Sequence, residues 1–188
     1  MKKNTHYFIA IPLPSEIKQY YSLWQTDLKR LAPYKQWTHP SDFHITLKFL
    51  GNMNDNQLKE LDHKLQYIST LQPFTMQIGK LGSFGNQTSP RVLWLGVEHH
   101  RNLLNLQKQV EKLAEKIGFP KEKRQYNPHI TLAKKWKDPS ISLPMEPLKQ
   151  RYQGQYKELF VNQVVIYQIN PKQSPKYKCI RTYPLRGE

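Results

Sequence analysis

Apolar residues recur along this chain at two spacings, which divide it into strands and helices. Tyr7–Leu13 (YFIAIPL) is a short bulky run of the kind a buried strand shows. From Ser15 to Leu31, the residues Ile17, Tyr20, Tyr21, Trp24, Leu28 and Leu31 fall three and four apart. That spacing predicts a helix, with Pro14-Ser15 at its start and Pro33 as its stop. Leu58, Leu61, Leu65 and Ile68 predict a second helix within 55–70. Leu103, Leu106, Val110, Leu113 and Ile117 predict a third, closed by Gly118 and Pro120. Val92–Glu98, Phe74–Phe84, Leu159–Ile169 and Lys176–Tyr183 read as further strands, whereas the Pro-rich segment 139–154 reads as looser.

The pattern is written twice. His44-Ile45-Thr46-Leu47 recurs as His129-Ile130-Thr131-Leu132, 85 residues later. The same offset lays Tyr7–Leu13 on Val92–Glu98, the first helix on the third, Phe74–Phe84 on Leu159–Ile169, and 91–98 on 176–183. The simplest architecture is an α+β chain of two pseudo-symmetric repeats. We expect 1–188 to form a single domain of two intertwined lobes, with the two motif strands facing a central cleft.

Strand alternation puts His44 with Thr46, and His129 with Thr131, on one face, with Ile45, Leu47, Ile130 and Leu132 on the other. Two imidazoles and two hydroxyls around one space suit an anionic phosphate. A phosphodiester needs a base for the attacking oxygen and an acid for the leaving one, and histidine can serve as either near neutral pH. Threonine hydroxyls can donate to the non-bridging oxygens as charge builds. A lone histidine in an apolar strand is as a rule structural. Here the flanks have drifted, Asp42-Phe43 against Asn127-Pro128 and Lys48-Phe49 against Ala133-Lys134, while both His and both Thr stand. Neither motif carries a second His or a carboxylate on that face, so no zinc ligand set is visible. His99-His100 reads as a strand-to-helix connection with solvated or capping side chains, and His6, His39 and His63 lack a motif.

Charge narrows the partner. Lys plus Arg number 29 against 14 acidic residues, a formal net charge of +15, which favours a polyanionic partner: RNA, DNA or an anionic membrane surface. The basic residues are dispersed through folded-looking segments, unlike a disordered tail. The single cysteine, Cys179, excludes an internal disulfide and is expected to be a buried or half-buried structural residue of the last strand. No apolar run reaches the roughly 18–20 residues that span a membrane, and Met1-Lys2-Lys3 with the following short run, broken by Pro12, lacks a cleavage signal. The chain is therefore read as a cytoplasmic monomer without membrane partners.

The duplicated motif resembles the 2H phosphoesterase superfamily, and within it the RNA 2′,3′-cyclic phosphodiesterases, also called 2′-5′ RNA ligases. The likeness runs through Phe8–Ile11, His44–Gly51, Pro90–Val97 and Pro128–Ala133, nearly the whole chain, with Arg91 between the motifs. It implies a bilobal α+β fold with antiparallel sheets around a basic cleft, no metal or other cofactor, and RNA with a 2′,3′-cyclic phosphate end as partner. It implies hydrolysis to a 2′-phosphomonoester, with His44 as proton donor to the leaving 3′ oxygen and His129 as proton acceptor from water. Where family members often carry Arg after the second Thr-Leu-Ala, this chain has Lys134, which keeps the charge but loses the bidentate fork. Simple alternation turns Lys134 away from the His129 face unless the strand bulges. Lys48, on the His44 face by alternation, and Arg124, just ahead of the second motif, are the other candidate phosphate cations. Tyr126, Phe84 and Trp136 are candidates to stack on bases, while Trp24 and Trp94 read as core. The same histidine pair would also serve 2′-5′ ligation or a cyclic nucleotide substrate, and an RNA-end-binding module without turnover is the alternative outside enzymes.

Overall fold

The computed structural model describes residues 5–187. The strands are β1 (His6–Pro12), β2 (Tyr34–Trp37), β3 (His44–Asn52), β4 (Phe74–Gly85), β5 (Pro90–Val97), β6 (His129–Trp136), β7 (Lys157–Val161), β8 (Gln163–Ile169) and β9 (Tyr177–Pro184). The helices are α1 (Ser15–Leu31), α2 (Asp55–Leu65), α3 (Arg101–Glu115) and α4 (Met145–Arg151), with 3₁₀ turns at Pro40–Asp42 and Gln66–Thr70. Two sheets form, one in the order β3-β1-β8-β9 and one in the order β2-β6-β5-β4-β7, with every described pairing antiparallel.

The repeat is visible in both sheets, and the repeats exchange strands. β1 and β3 are completed by β8 and β9 from the second half, while β5 and β6 are completed by β4 and β2 from the first. The exchange turns on Asn162. The apolar run Leu159–Ile169, continuous in sequence, breaks there into β7 of one sheet and β8 of the other. The Asn162 carbonyl accepts the Leu185 amide at 2.8 Å.

Helices cross in the same sense. The buried face of α1 presents Ile17, Tyr21, Trp24 and Leu28. Its Tyr21 hydroxyl donates to the Ile78 carbonyl of β4 at 2.8 Å, so a helix between β1 and β3 is fastened to the other sheet. Conversely α3, which follows β5, reaches β3 through Glu111 and Lys48. One continuous core runs behind both sheets and takes in Ile9, Ile11, Ile45, Leu47, Leu95 and Ile130. A smaller cluster of Phe8, Ala10, Val165 and Tyr167 lies on the opposite face of the four-stranded sheet. Alternation along β1 produces this split: odd residues face the core, even ones the cleft.

Several elements depart from the sequence reading. The segment 139–154 holds a short helix, α4, seated by buried Met145 and Leu148. β2 is an unpredicted four-residue strand paired to β6. Cys179 is exposed on β9, the outermost strand of its sheet, and not buried as expected. His100 does cap α3, its Nδ1 accepting the Asn102 amide at 3.3 Å.

Candidate active site

β3 and β6 contact each other where the two sheets meet. Each begins with its motif histidine, and the rings are held alike. His44 Nδ1 lies 2.6 Å from the Asp42 carbonyl, and His129 Nδ1 lies 2.8 Å from the Asn127 carbonyl. A carbonyl can only accept, so in each ring Nδ1 carries the hydrogen and the neutral Nε2 is left with its lone pair. His44 Nε2 lies 3.1 Å from Thr46 Oγ1. His129 Nε2 and the Thr131 hydroxyl have no protein partner among the described residues, although Thr131 follows the same alternation. His44, Thr46, His129 and Thr131 are half-buried, while Ile45, Leu47, Ile130 and Leu132 are buried, as the alternation predicts.

Aromatic rings wall both imidazoles. Phe8 packs 4.7 Å from the His44 ring, with Tyr177 edge-on at 5.2 Å and Tyr167 at 6.0 Å. Phe84 meets His129 edge-on at 5.0 Å, and Trp94 lies 6.2 Å away. Phe84 thus stands at the site, whereas Trp136 is occupied elsewhere: its indole N–H donates to the Ile141 carbonyl at 2.9 Å. Trp94, read as core, instead sits on the His129 face. Its indole covers Gly82 opposite, and a β-carbon there would overlap the ring. The misreading comes from the offset. Ladder partners show that Ala10 faces Thr46 as Trp94 faces Thr131, so the β1-to-β5 shift is 84 residues while the β3-to-β6 shift is 85. A slip of one residue exchanges the faces of a strand.

Bulges account for that difference and re-sort the candidate cations. On β3, Ala10 pairs with Thr46 but Ile9 with Lys48, leaving Leu47 unopposed. On β6, Trp94 pairs with Thr131 but Leu93 with Ala133, leaving Leu132 unopposed. Each extra residue inverts the alternation beyond it. Lys48 therefore turns off the His44 face into the core, which corrects its reading as a phosphate ligand. It is 5% exposed, and its Nζ donates to Glu111 at 2.9 Å and to the Pro120 carbonyl at 2.8 Å. The same inversion carries Lys134 onto the His129 face, and its charge acts on both imidazoles.

Side chains clasp each bulge. The Tyr126 hydroxyl donates to the Thr46 carbonyl at 3.0 Å, tying the approach to β6 to the bulge on β3. The bond engages the hydroxyl, and the ring is half-buried against the core. The Leu132 carbonyl accepts both the Thr38 amide at 2.9 Å and Gln25 Nε2 from α1 at 3.1 Å. Gln25 escaped the sequence reading because a glutamine on an amphipathic helix carries no signal of burial. Arg124 does not join the site: its side chain is 86% exposed and paired with Glu122 at 2.9 Å.

The electrostatics follow from burial among cations. Desolvation, opposed by the Asp42 hydrogen bond and reinforced by Lys134, His129 and Lys18, pulls His44 down to about 4. His129 is lowered by desolvation and Lys134, against the Asn127 hydrogen bond. Lys134 is itself lowered, first by desolvation and then by Lys176 and Arg91. Both histidines are therefore neutral at neutral pH, and the surrounding charge is positive. Among the described residues no three His, Cys, Asp or Glu side chains group as a metal site requires, and no helix is long and apolar enough to cross a membrane.

A family model described as LigT like Phosphoesterase matches the chain twice, over residues 11–94 and 95–177. The chain belongs to the LigT-like phosphoesterases. Within the family it is 35% identical over 187 residues to an RNA 2′,3′-cyclic phosphodiesterase of Geobacillus stearothermophilus, covering 98% of this chain and 59% of that protein. It is 35% identical over 182 residues to one of Bacillus subtilis, covering 96% of each. A crystal structure of Escherichia coli LigT complexed with 3′-AMP superposes with a TM-score of 0.79 at 24% identity, covering 96% of this chain and 98% of that one. The likeness in fold extends across both LigT-like repeats.

Proposed function

We propose that the protein hydrolyses 2′,3′-cyclic phosphates at RNA ends to 2′-phosphomonoesters, with His44 and His129 as a metal-independent acid–base pair. The observation that carries this reading is the matched holding of the two rings, each with Nδ1 on a backbone carbonyl two residues earlier. The names of the Geobacillus and Bacillus relatives support the substrate.

His129 Nε2 takes a proton from water as the water oxygen bonds to phosphorus. The bond from phosphorus to the 3′ oxygen breaks, and His44 Nε2–H delivers a proton to that oxygen. The 3′ hydroxyl is regenerated and the phosphate stays on the 2′ oxygen. Thr46, Thr131 and Lys134 stabilise the non-bridging oxygens. The arriving anion neutralises the field of Lys134 and lifts His44 into the protonated form that an acid needs.

The test is incubation of EDTA-treated protein with an RNA bearing a 2′,3′-cyclic phosphate, followed by mapping of the monoester. A 2′-phosphate is expected, with turnover lowered about 10²–10⁴-fold in His44→Ala or His129→Ala and about 10²-fold in Thr46→Val or Thr131→Val. A 3′-phosphate product, activity lost on chelation and restored by metal, or near wild-type rates in either histidine variant would sink the mechanism.

A further inference from the structure

Beside His44 lies a cavity that shares Lys134 with the proposed chemistry and is otherwise left unused by it. It encloses about 150 Å³ among Trp37, Thr38, Asp42, Lys134, Lys176 and Tyr177. Asp42 builds it from two sides. Its carboxylate accepts the backbone amides of Lys176 and Tyr177 at 2.8 and 3.1 Å, while its carbonyl holds His44 Nδ1. One buried residue thus fixes both the imidazole and the segment that brings Lys176 to the cavity. Tyr177, edge-on to His44 at 5.2 Å, is the wall between them.

The lining of this cavity carries two lysines against one carboxylate. The Asp42 carboxylate is already engaged by the two amides. Lys134 and Lys176 make no ion pair among the described residues, and the charge of Lys176 acts on Lys134. Two ammonium groups against the one carboxylate of Asp42, with which neither is ion-paired, leave the lining net positive and favour an anion there. The volume is below the roughly 300–1,000 Å³ of a pocket for a whole small molecule, so the occupant is a single group such as a phosphodiester.

Its direction follows from the reaction proposed above, on which this inference rests. The leaving oxygen belongs to the ribose and is protonated by His44, so the nucleoside lies on the His44 side and water on the His129 side. That puts the RNA upstream of the ribose on the His44 side, which Tyr177 and Asp42 share with the cavity. We propose that this cavity is a subsite for the phosphodiester linking the terminal nucleotide to the one before it, with Lys176 as its principal cation. The protein then selects an RNA end over a cyclic mononucleotide. Trp37, half-buried at the rim, offers a ring against which the preceding base can stack.

The experiment compares kcat/KM for a 2′,3′-cyclic mononucleotide, a dinucleotide with the same cyclic end, and that dinucleotide with a neutral methylphosphonate linkage. The native enzyme is expected to prefer the charged dinucleotide about tenfold, mainly through KM. The preference should fall several-fold both in Lys176→Gln and with the neutral linkage, since each removes one side of a charge-assisted contact. In Lys176→Gln, the slope of log affinity against log salt for the dinucleotide should shrink by roughly 0.7, one contact to a single strand. Equal kcat/KM for all three substrates, or a Lys176→Gln loss identical on each, would overturn the subsite. A preference that survives the neutral linkage would do so too, by assigning the cavity to the base. If no cyclic phosphate is turned over, the acid–base reading fails. Equilibrium binding of 3′-phosphorylated mono- and dinucleotides then decides the subsite alone: a dinucleotide advantage that Lys176→Gln reduces sustains it, and the same affinity for both removes it.

Discussion

Both imidazoles meet their substrate in the neutral form, which ties protonation to binding. His44, held at about 4 by burial and by the Lys134, His129 and Lys18 charges, should rise when a 2′-nucleotide fills the site, because the phosphate offsets those cations. Lys134→Gln should raise both histidines in the empty protein. Imidazole NMR titrations check each shift. A His44 value that stays put on nucleotide binding would exclude it as the proton donor. Stability is linked to the same proton. The folded value lies below the unfolded one near 6.5, so the unfolded chain takes up the proton first. The contribution is whole above about pH 6.5 and is lost as pH falls toward 4. The stability profile of His44→Asn should be flatter across that window.

At this scale the sequence was informative to the motif and not past it. The faces of His44, Thr46, His129 and Thr131 follow from alternation alone. Lys48 and Lys134 exchanged roles because each lies just beyond a bulge, and a bulge inserts a residue without leaving a gap in the apolar pattern. Leu47-Lys48-Phe49 and Leu132-Ala133-Lys134 fit either parity until a partner strand fixes the register.

Among elements, the two bulges and their clasps set how β3 and β6 present the site. Lys48 shows the cost of that geometry. It is an ammonium in the core, matched by Glu111, whose other oxygen lies 3.4 Å from Gln107 Nε2. Removing one partner of such a pair strands the other charge. Lys48→Met should cost about 3–5 kcal/mol, and adding Glu111→Leu should restore much of it. Urea denaturation of the two singles and the double measures the coupling. Additive losses would mean that the pair is not coupled and that the Pro120 carbonyl alone holds Lys48. Long amphipathic elements such as α1 and α3 were legible, because a stripe of apolar residues needs no partner to be recognised. β2, four residues long, and the break at Asn162 were not, because only pairing with strands distant in the chain defines them.

Over the whole molecule, the excess of basic residues gathers some of its members at the cleft: Arg91 and Lys176 lie close enough to Lys134 for their charges to lower it. Encounter with RNA should therefore slow as salt rises. The exchange of strands between repeats has a separate consequence. A cut in the turn between β4 and β5, at residues 86–89, would yield two polypeptides that each hold one histidine motif and only part of either sheet. Neither piece could close its own hydrogen-bond ladders, so each should remain unfolded or aggregate on its own. Mixed, they should reassemble by mutual templating and regain hydrolysis, a fragment complementation readable by circular dichroism and by turnover. A half that folds alone would mean that its sheet is self-sufficient. Failure of the mixture to recover would mean that the covalent turn is needed to bring the halves together. An ancestor encoding one half could have assembled the same ladders only as a pair of identical chains, each lending its last strands to the other.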